Sequence, residues 1–443
     1  MSFLSRVQLR SGRYSLLGFA CLAMLLAAGT VSRAQSIELP TPRAATNAAL
    51  HYQRAVLYLG MVDPEQRALL EQPIWQTINP KSTDEDLAKL SELLIASRQA
   101  IRSALVGAEQ LEADFGLDMR QYVLSSQLPH AEGMKQIGRL VALQGLQQQS
   151  AGEWKLAAET YLAGLRMGRQ MTHQTTLAEA MAGVEILENM YFAISQWAVR
   201  CPDTALVDDV SHILDAMAND MVNPARTMGF EAGISKARLA AMESAYPDGP
   251  WAEMILEALG AEVPAAGSEE LRQAAIAAAV KRGVPESTFA TVDAFKSYMD
   301  NLRTTYAELA RESAICLTLD PPHSIKCGAE VYAKYADKLP ETERLSALNP
   351  ARVASLFALH QAELDMLRQV LAASALKTDD GFPASADAIQ ARLGNKPLTS
   401  PFDGSEYEYE QLEDGRGMSL KIGKATVGGI ELPEFKFRYV EAK

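Results

Sequence analysis

Apolar residues recur with helical spacing over most of this 443-residue chain. Between about Ala44 and Ala375 they return every three or four positions, the spacing that places them on one face of an α-helix. Two such faces stand near the start of the region: Ala48, Tyr52, Ala55, Val56 and Leu59, then Leu87, Leu90, Leu93, Leu94, Ile101 and Leu105. The pattern predicts a mainly α protein with an irregular antiparallel helical domain over residues 44–375.

Proline and glycine interrupt this pattern at short intervals. The breaks fall at Asp63-Pro64, Asn79-Pro80, Pro129, Cys201-Pro202, Pro247 to Pro250, Val263 to Ser268, Gly283 to Pro285, Pro321-Pro322 and Asn349-Pro350. Most intervals between them have room for one helix or one helical hairpin. The stretch from Pro247 to Ser268 is rich in Pro, Gly and Ala, so we expect it to be an exposed crossing or a lid, and the most mobile part of the helical region.

Turn-forming residues and alternating aromatics replace the helical spacing in residues 376–443. A short helix is predicted over residues 385–393, and strands are predicted over residues 406–412, 418–422 and 434–440. In the last strand Phe435, Phe437 and Tyr439 alternate with Lys436 and Arg438, as expected for a half-buried strand. Glu413-Asp414-Gly415 is predicted to be the hairpin turn between the first two strands. The chain therefore ends in a small α+β module.

The N-terminus has the features of an export signal. Arg6, Arg10 and Arg13 precede an apolar run over residues 14–31, and Ser32-Arg33-Ala34 supplies a small-residue cleavage site. Residues 1–34 are therefore predicted to be a signal peptide, and the mature protein is predicted to be periplasmic or otherwise extracytoplasmic. The alternative is that residues 14–31 remain as an anchor in the inner membrane, because the run of 18 residues is just long enough to span a bilayer.

The net charge argues against nucleic acid as a partner. The whole chain carries −13, and removal of the four arginines within residues 1–34 takes this to −17. Such an acidic protein repels phosphate backbones and anionic lipid surfaces, and its basic residues are not clustered. We expect a second envelope protein as the partner, and a membrane only if the N-terminal segment is not cleaved.

Three cysteines remain after residue 34: Cys201, Cys316 and Cys327. Cys316 and Cys327 flank a predicted break between two helices, and export permits disulfides to persist. One reading is a local bridge between these two residues, with Cys201 left over. The other is three reduced, buried thiols.

The sequence contains none of the common catalytic motifs. The nucleophile elbow, the phosphate-binding loop, the dinucleotide fingerprint and the helical zinc motifs are all absent. Ser374-Ala-Leu-Lys377 fits the Ser-x-x-Lys pattern of acyl transferases but has none of its companion motifs, so we interpret it as a chance match. We therefore assign no catalytic, cofactor-binding or metal-ligating residue.

Several groups that could in principle form a metal or acid–base site are interpreted as structural. His360-Gln-Ala-Glu363 is predicted to be a surface pair one helical turn apart, although it is the nearest approach to a metal motif. The carboxylate pairs Glu308 with Glu312 and Asp208 with Asp209 are interpreted as a solvated helix face. A second group is predicted to belong to the core, because its members lie at helical spacing: Met181, Met190, Tyr191 and Trp197.

One stretch resembles the second helix of a tetratricopeptide repeat (TPR). It runs over residues 152–165, with Gly152, Trp154, Ala157 and Tyr161 at the motif positions, and Gly145 is the small residue of the preceding helix. The resemblance implies a TPR-like helical hairpin at about residues 138–168, in which Gly145 allows the two helices to approach closely. A second copy at a period of about 34 residues is not found, so a repeat array is not implied.

The C-terminal segment resembles that of the major pseudopilins of type II secretion. Three stretches carry the resemblance: Gly381-Phe382-Pro383-Ala384-Ser385, then Pro401-Phe402-Asp403-Gly404, then Tyr407-Glu408-Tyr409. Two departures limit what it implies. The pseudopilin N-terminal assembly signal is missing, so filament polymerisation by that route is not implied. Leu420-Lys421-Ile422-Gly423-Lys424 replaces the acidic calcium-binding ending, and only Asp403 and Glu406 remain near the turn.

The whole chain is similar to a family of exported bacterial helical proteins for which no activity is known. The shared stretches are residues 47–52, residues 165–170 and the pseudopilin-like tail. We therefore expect a non-enzymatic protein-interaction or scaffold protein of the cell envelope. The alternatives are an extracytoplasmic hydrolase with a cleft in the helical domain, or a membrane-anchored accessory component of a secretion system.

Overall fold

The computed structural model describes residues 47–72, 84–116, 128–174, 176–218, 220, 224–247, 250–258, 261–264, 268–336, 338–339, 349–394, 398–412, 417–422, 426–427, 430–431 and 434–438. The predicted signal peptide, its apolar run, the break at Asn79-Pro80 and the turn at residues 413–415 lie outside these ranges. Within the described residues the fold is mainly helical and ends in a small antiparallel sheet, as the sequence predicts.

The helices of the first half of the chain are α1 (Ala48–Gly60), α2 (Pro64–Arg67), α3 (Asp84–Ala96), α4 (Arg98–Ala108), α5 (Pro129–Ser150), α6 (Trp154–Thr172), α7 (Leu177–Arg200) and α8 (Thr204–Ala218). Those of the second half are α9 (Pro224–Ala245), α10 (Trp251–Ala258), α11 (Ser268–Lys281), α12 (Val292–Cys316), α13 (Pro321–Ala336), α14 (Pro350–Ala375) and α15 (Ala386–Arg392). Several helices begin at the predicted proline breaks, because proline at the first helical position sacrifices no hydrogen bond. No helix within the described ranges is both long enough and apolar enough to span a bilayer.

The main hydrophobic core lies between α1, α3 to α8, α14 and the C-terminal module. Near its centre, Trp197 of α7 is fully buried, and its indole nitrogen donates a hydrogen bond to the carbonyl oxygen of Trp154, 3.0 Å away. Two of the other residues that the pattern placed in the core, Met190 and Tyr191, are also buried, while Met181 is half-buried. The prediction of an apolar core at these positions is confirmed for three of the four.

Helices α5 and α6 form a tight hairpin at Gly145. A Cβ atom at this position would overlap the ring of Tyr161, so only glycine permits the approach. Tyr161 and Ala157 are fully buried there, and Trp154 is half-buried. The predicted close contact between these two helices is confirmed.

A second, separate hydrophobic core joins α9 to α13. Four of its aromatic rings lie close together: the centroid of Tyr246 is 4.0 Å from that of Phe295 and 5.0 Å from that of Trp251, and Phe289 lies beside them. Trp251 is only 1% exposed. The expected exposed crossing is therefore wrong for residues 251–258, because an aromatic side chain anchors this part of the segment as helix α10.

A disulfide joins the end of α12 to α13. Cys316 and Cys327 are bonded, with their Cα atoms 5.5 Å apart, and Cys201 is a buried free thiol. Of the two readings that the sequence leaves open, the local bridge is the one found.

The C-terminal module comprises α15 and two small sheets. Strands β1 (Tyr407–Gln411), β2 (Gly417–Ile422) and β5 (Glu434–Arg438) form an antiparallel sheet in the order β1-β2-β5, and β3 (Thr426–Val427) pairs with β4 (Ile430–Glu431). The three longer strands and the helix lie where the sequence predicts them. The central strand β2 is inserted into the main core through Met418 and Leu420, which are fully buried. On the outer side, exposed Lys421 pairs with Glu408, 3.0 Å away.

Candidate functional site

Helices α7 and α14 pack against each other and bring carboxyl groups together inside the protein. On α7, Glu185, Glu188 and Tyr191 follow one another at intervals of one turn. On α14, His360 and Glu363 are one turn apart in the same way. These five residues form the candidate site, which we call the acid cluster.

The predicted surface position of His360 and Glu363 is wrong, because each is only 2% exposed. Apolar residues surround α14 on every side, since α7, α8, α13 and α15 all pack on it. A helix that is apolar all round is buried, and its polar residues are buried with it. The pair therefore lies in the interior instead of on a solvated face.

Glu363 has no hydrogen-bond partner for either carboxylate oxygen. Burial raises the pKa of Glu363 well above its usual range, and the nearby charge of Glu188 raises it further. Glu188 is half-buried, and burial followed by the charge of Glu185 raises the pKa of Glu188 to about 8. At neutral pH both carboxyl groups are therefore expected to carry protons.

Tyr191 and His360 lie beside the two carboxyl groups. The Tyr191 hydroxyl is 3.4 Å from Nε2 of His360, and the two ring centroids are 5.4 Å apart. Burial lowers the pKa of His360 to about 4, so the imidazole is neutral, and its Nδ1 has no partner. Burial, with the charges of Glu363 and Glu188, holds the pKa of Tyr191 well above its usual value. Neither ring can therefore supply a counter-charge.

Cations neutralise only the outer acids of this region. Glu185 forms ion pairs with Arg139 of α5 and with Lys135, whose Nζ is 3.7 Å away. Asp365 pairs with Arg368 across 3.4 Å. None of these cations forms an ion pair with Glu363, so a charged carboxylate at this inner position would be uncompensated.

Strand β1 covers one side of the cluster region through Tyr407. This side chain is only 6% exposed, and its hydroxyl has no hydrogen-bond partner. Burial raises the pKa of Tyr407, and the charge of Asp365 adds to the effect. The C-terminal module therefore forms part of the wall around these groups.

The acyl-transferase-like pattern has a structural role. Ser374 is buried, and Nζ of Lys377 donates hydrogen bonds to the carbonyl oxygens of Val199 and Cys201, at 3.0 and 3.3 Å. These carbonyl groups lie at the end of α7, where intrahelical partners are lacking. Lys377 is thus a helix cap.

Two of the four carboxylates interpreted as solvated faces, Glu312 and Asp208, form ion pairs. Glu312 accepts hydrogen bonds from Lys334 and from the Tyr335 hydroxyl, at 2.7 and 2.9 Å. Asp208 pairs with Arg392 of α15. Over the described part of the chain, no group of three or more His, Cys, Asp or Glu residues has the geometry of a metal site.

A second candidate surface is an apolar stripe on α1. Leu50 and Leu57 of α1 are 63% and 66% exposed, and Met61, which directly follows the helix, is 79% exposed. Their spacing of seven and four residues places the three on one helical face. Tyr52, Ala55 and Leu59, on the opposite face, are fully buried in the main core. The outer side thus carries large apolar residues, with the exposed polar residues Gln53 and Arg54 on the turn between Leu50 and Leu57.

Comparison of the chain with protein family models, with curated protein sequences and with solved structures finds no match.

Proposed function

We propose that this protein is exported and acts in the cell envelope as a protein-interaction scaffold. The observation that carries the proposal is the outer stripe of α1, where Leu50, Leu57 and Met61 are all more than half exposed. Single exposed apolar residues are common, but a run of three large ones along one helix is typical of a surface that a partner covers. The helix is fixed to the main core on its other side, so the stripe is presented rigidly.

The bridge between Cys316 and Cys327 supports export. Disulfides persist in oxidising compartments and are rare where thiol reductants are abundant. A cleaved signal peptide over residues 1–34 would account for the compartment. N-terminal sequencing of the mature protein tests this step, and the alternative anchored form would retain residues 14–31.

The proposed scaffold has two recognisable parts. The hairpin of α5 and α6 is TPR-like, which the contact of Gly145 with Tyr161 supports. The C-terminal module is pseudopilin-like, and its sheet supports this with a charged outer side at Glu408 and Lys421. In this proposal the helical domain holds the module in place, and the partner is another envelope protein.

Site-specific photo-crosslinking in whole cells tests the scaffold proposal. A photoreactive amino acid in place of Leu57 is expected to give one discrete adduct with a second protein. The matched control replaces Val280, which is exposed on α11 and lies outside the stripe. In addition, Leu50→Asp with Leu57→Asp should abolish the adduct formed from position 61 without lowering the Tm, because both side chains are exposed. Identical adduct patterns from positions 57 and 280 would count against the scaffold.

A second candidate function, hydrolysis, is favoured by the acid cluster. Buried carboxyl groups with raised pKa values beside a histidine and a tyrosine are typical of acid–base sites. The segment at residues 247–268 no longer suits this role, because Trp251 fills the second core. The test is a screen of chromogenic esters, glycosides and phosphoesters. Any activity must disappear in both Glu188→Gln and Glu363→Gln and persist in Glu410→Gln, a change of an exposed carboxylate on β1.

A further inference from the structure

Glu188 of α7 and Glu363 of α14 belong to two helices that pack against each other, and neither residue is in a described ion pair. Both carboxylate oxygens of Glu363 are shielded from solvent and receive no hydrogen bond. Arg139 and Lys135 of α5 are already paired with Glu185. A buried carboxylate in such surroundings takes up a proton, because the charged form loses its hydration and gains nothing in exchange.

We propose that Glu188 and Glu363 form a proton-binding site, and that α7 and α14 pack tightly only while both groups are neutral. The ligand is the proton itself, which needs no cavity. The inference goes beyond the scaffold function and does not depend on it.

The titratable and charged groups beside the pair, or beside its neighbours Glu185 and Asp365, belong to four elements. They are Glu185 and Tyr191 from α7, His360, Asp365 and Arg368 from α14, Arg139 and Lys135 from α5, and Tyr407 from β1. Further out, on elements packed against the two helices, the described ion pairs are Asp215 with Arg368, Arg169 with Asp220, Lys334 with Glu312 and Arg392 with Asp208. His360 cannot neutralise Glu363, since its pKa is about 4 and its imidazole is uncharged at higher pH.

The direction of the pH dependence follows from proton linkage. In the unfolded chain a glutamate releases its proton near pH 4.5, whereas in the folded protein Glu188 keeps it until about pH 8. Between these values the folded state binds more protons than the unfolded state, so the stability of the fold decreases as the pH rises. Above the pKa of Glu188 in the folded protein, the stabilisation by its bound proton is lost. Glu188 and Glu185 then repel each other as neighbouring charges.

Denaturant unfolding at pH 5.5 and pH 9 tests the site. The folding equilibrium constant of the unmodified protein is expected to fall by more than about tenfold between the two values, since each pKa unit corresponds to a factor of ten. Glutamine resembles a protonated glutamate in shape and charge. Glu188→Gln should therefore match the unmodified protein at pH 5.5 and exceed its stability at pH 9. The control Glu410→Gln, an exposed carboxylate, should keep the full decrease.

Infrared difference spectroscopy on the unmodified chain provides a test that requires no variant to fold. A protonated carboxylic acid has a carbonyl stretch distinct from that of a carboxylate, and this band is expected at pH 7 and should shift in heavy water. Its loss on raising the pH past about 8 would assign part of it to Glu188. A spectrum without the band at pH 7, or a Glu188→Gln variant that parallels the unmodified protein at both pH values, would overturn the proposal.

Discussion

The ammonium group of Lys377 caps helix α7 by donating a hydrogen bond to the carbonyl oxygen of Val199, 3.0 Å away. Lys377 lies two residues after the end of α14, so this hydrogen bond connects the ends of α14 and α7. The C-terminal end of α7 is thus stabilised by a residue of the segment that follows α14.

We predict that Lys377→Met destabilises the protein by about 1.5–3 kcal/mol, because hydrogen bonds to a charged donor contribute this much and the end of α7 has no substitute. Chemical denaturation measures the loss. The matched control is Lys421→Met, which removes an exposed pair with Glu408 and should cost about 0–1 kcal/mol. Equal losses in the two variants would contradict the capping role.

Gly145→Ala is expected to destabilise the hairpin of α5 and α6 by about 1–3 kcal/mol. The added methyl group would overlap the Tyr161 ring, and overpacking in a dense core has a cost of this size. The control is Gly229→Ala in α9, where nothing lies within 4 Å of the added atom. That change should be neutral or stabilising by up to about 1 kcal/mol, since alanine favours helix. A stabilising effect at position 145 would refute the close contact.

Reduction of the bridge between Cys316 and Cys327 is predicted to lower the unfolding free energy by about 2–3 kcal/mol. The bridge closes a loop of 11 residues, and loop-closure entropy gives this magnitude. Thermal unfolding with and without reductant measures the effect. The Cys316→Ser, Cys327→Ser double variant should have the stability of the reduced protein, with and without reductant. Cys201→Ala should retain the response to reductant, because its thiol is free.

The contribution of Glu179 to the stability of the fold is expected to have the opposite pH dependence from that of Glu188. Burial by itself would raise the pKa of Glu179, but hydrogen bonds from His130 and Thr176 outweigh it and lower the pKa below its usual value. The stabilisation by Glu179 is therefore complete above its pKa in the unfolded chain, about 4.5. It is lost as the pH falls through the lower pKa of Glu179 in the folded protein.

At neutral pH Glu179→Gln should cost about 1–2 kcal/mol, because the N-terminal cap of α7 loses a charged acceptor. The difference from the unmodified protein should shrink as the pH is lowered to 3, as measured by urea unfolding. If the difference instead grew towards low pH, the assigned role of the carboxylate would be wrong.

The local features of this fold could be predicted from the sequence because they depend on neighbouring residues. Ser385 begins a short helix and Asn349-Pro350 begins a long one, and the strands near Tyr407 and Leu420 follow alternation over a few positions. The sequence alone does not decide between a disulfide and two free thiols at Cys316 and Cys327, because both are written as cysteine. Their separation of 11 residues made the local bridge a specific hypothesis.

The acid cluster could not be predicted in this way. Glu188 and Glu363 are 175 positions apart in the chain, and only the packing of α7 on α14 brings them together. One signal was nevertheless present: Leu359, Leu364, Met366 and Leu367 give α14 apolar residues on several sides, which indicates a helix enclosed by others. Trp251 carried a similar signal, because so large an apolar side chain in a Pro- and Gly-rich stretch requires a place to be buried.

The main core contains residues from both extremes of the described chain. Tyr52 and Leu59 of α1 share it with Met418 and Leu420 of β2. Its apolar centre therefore stays incomplete until β2 has been synthesised, and a nascent polypeptide without that strand cannot complete the core. If the protein is exported as we propose, this late completion defers folding to the far side of the membrane.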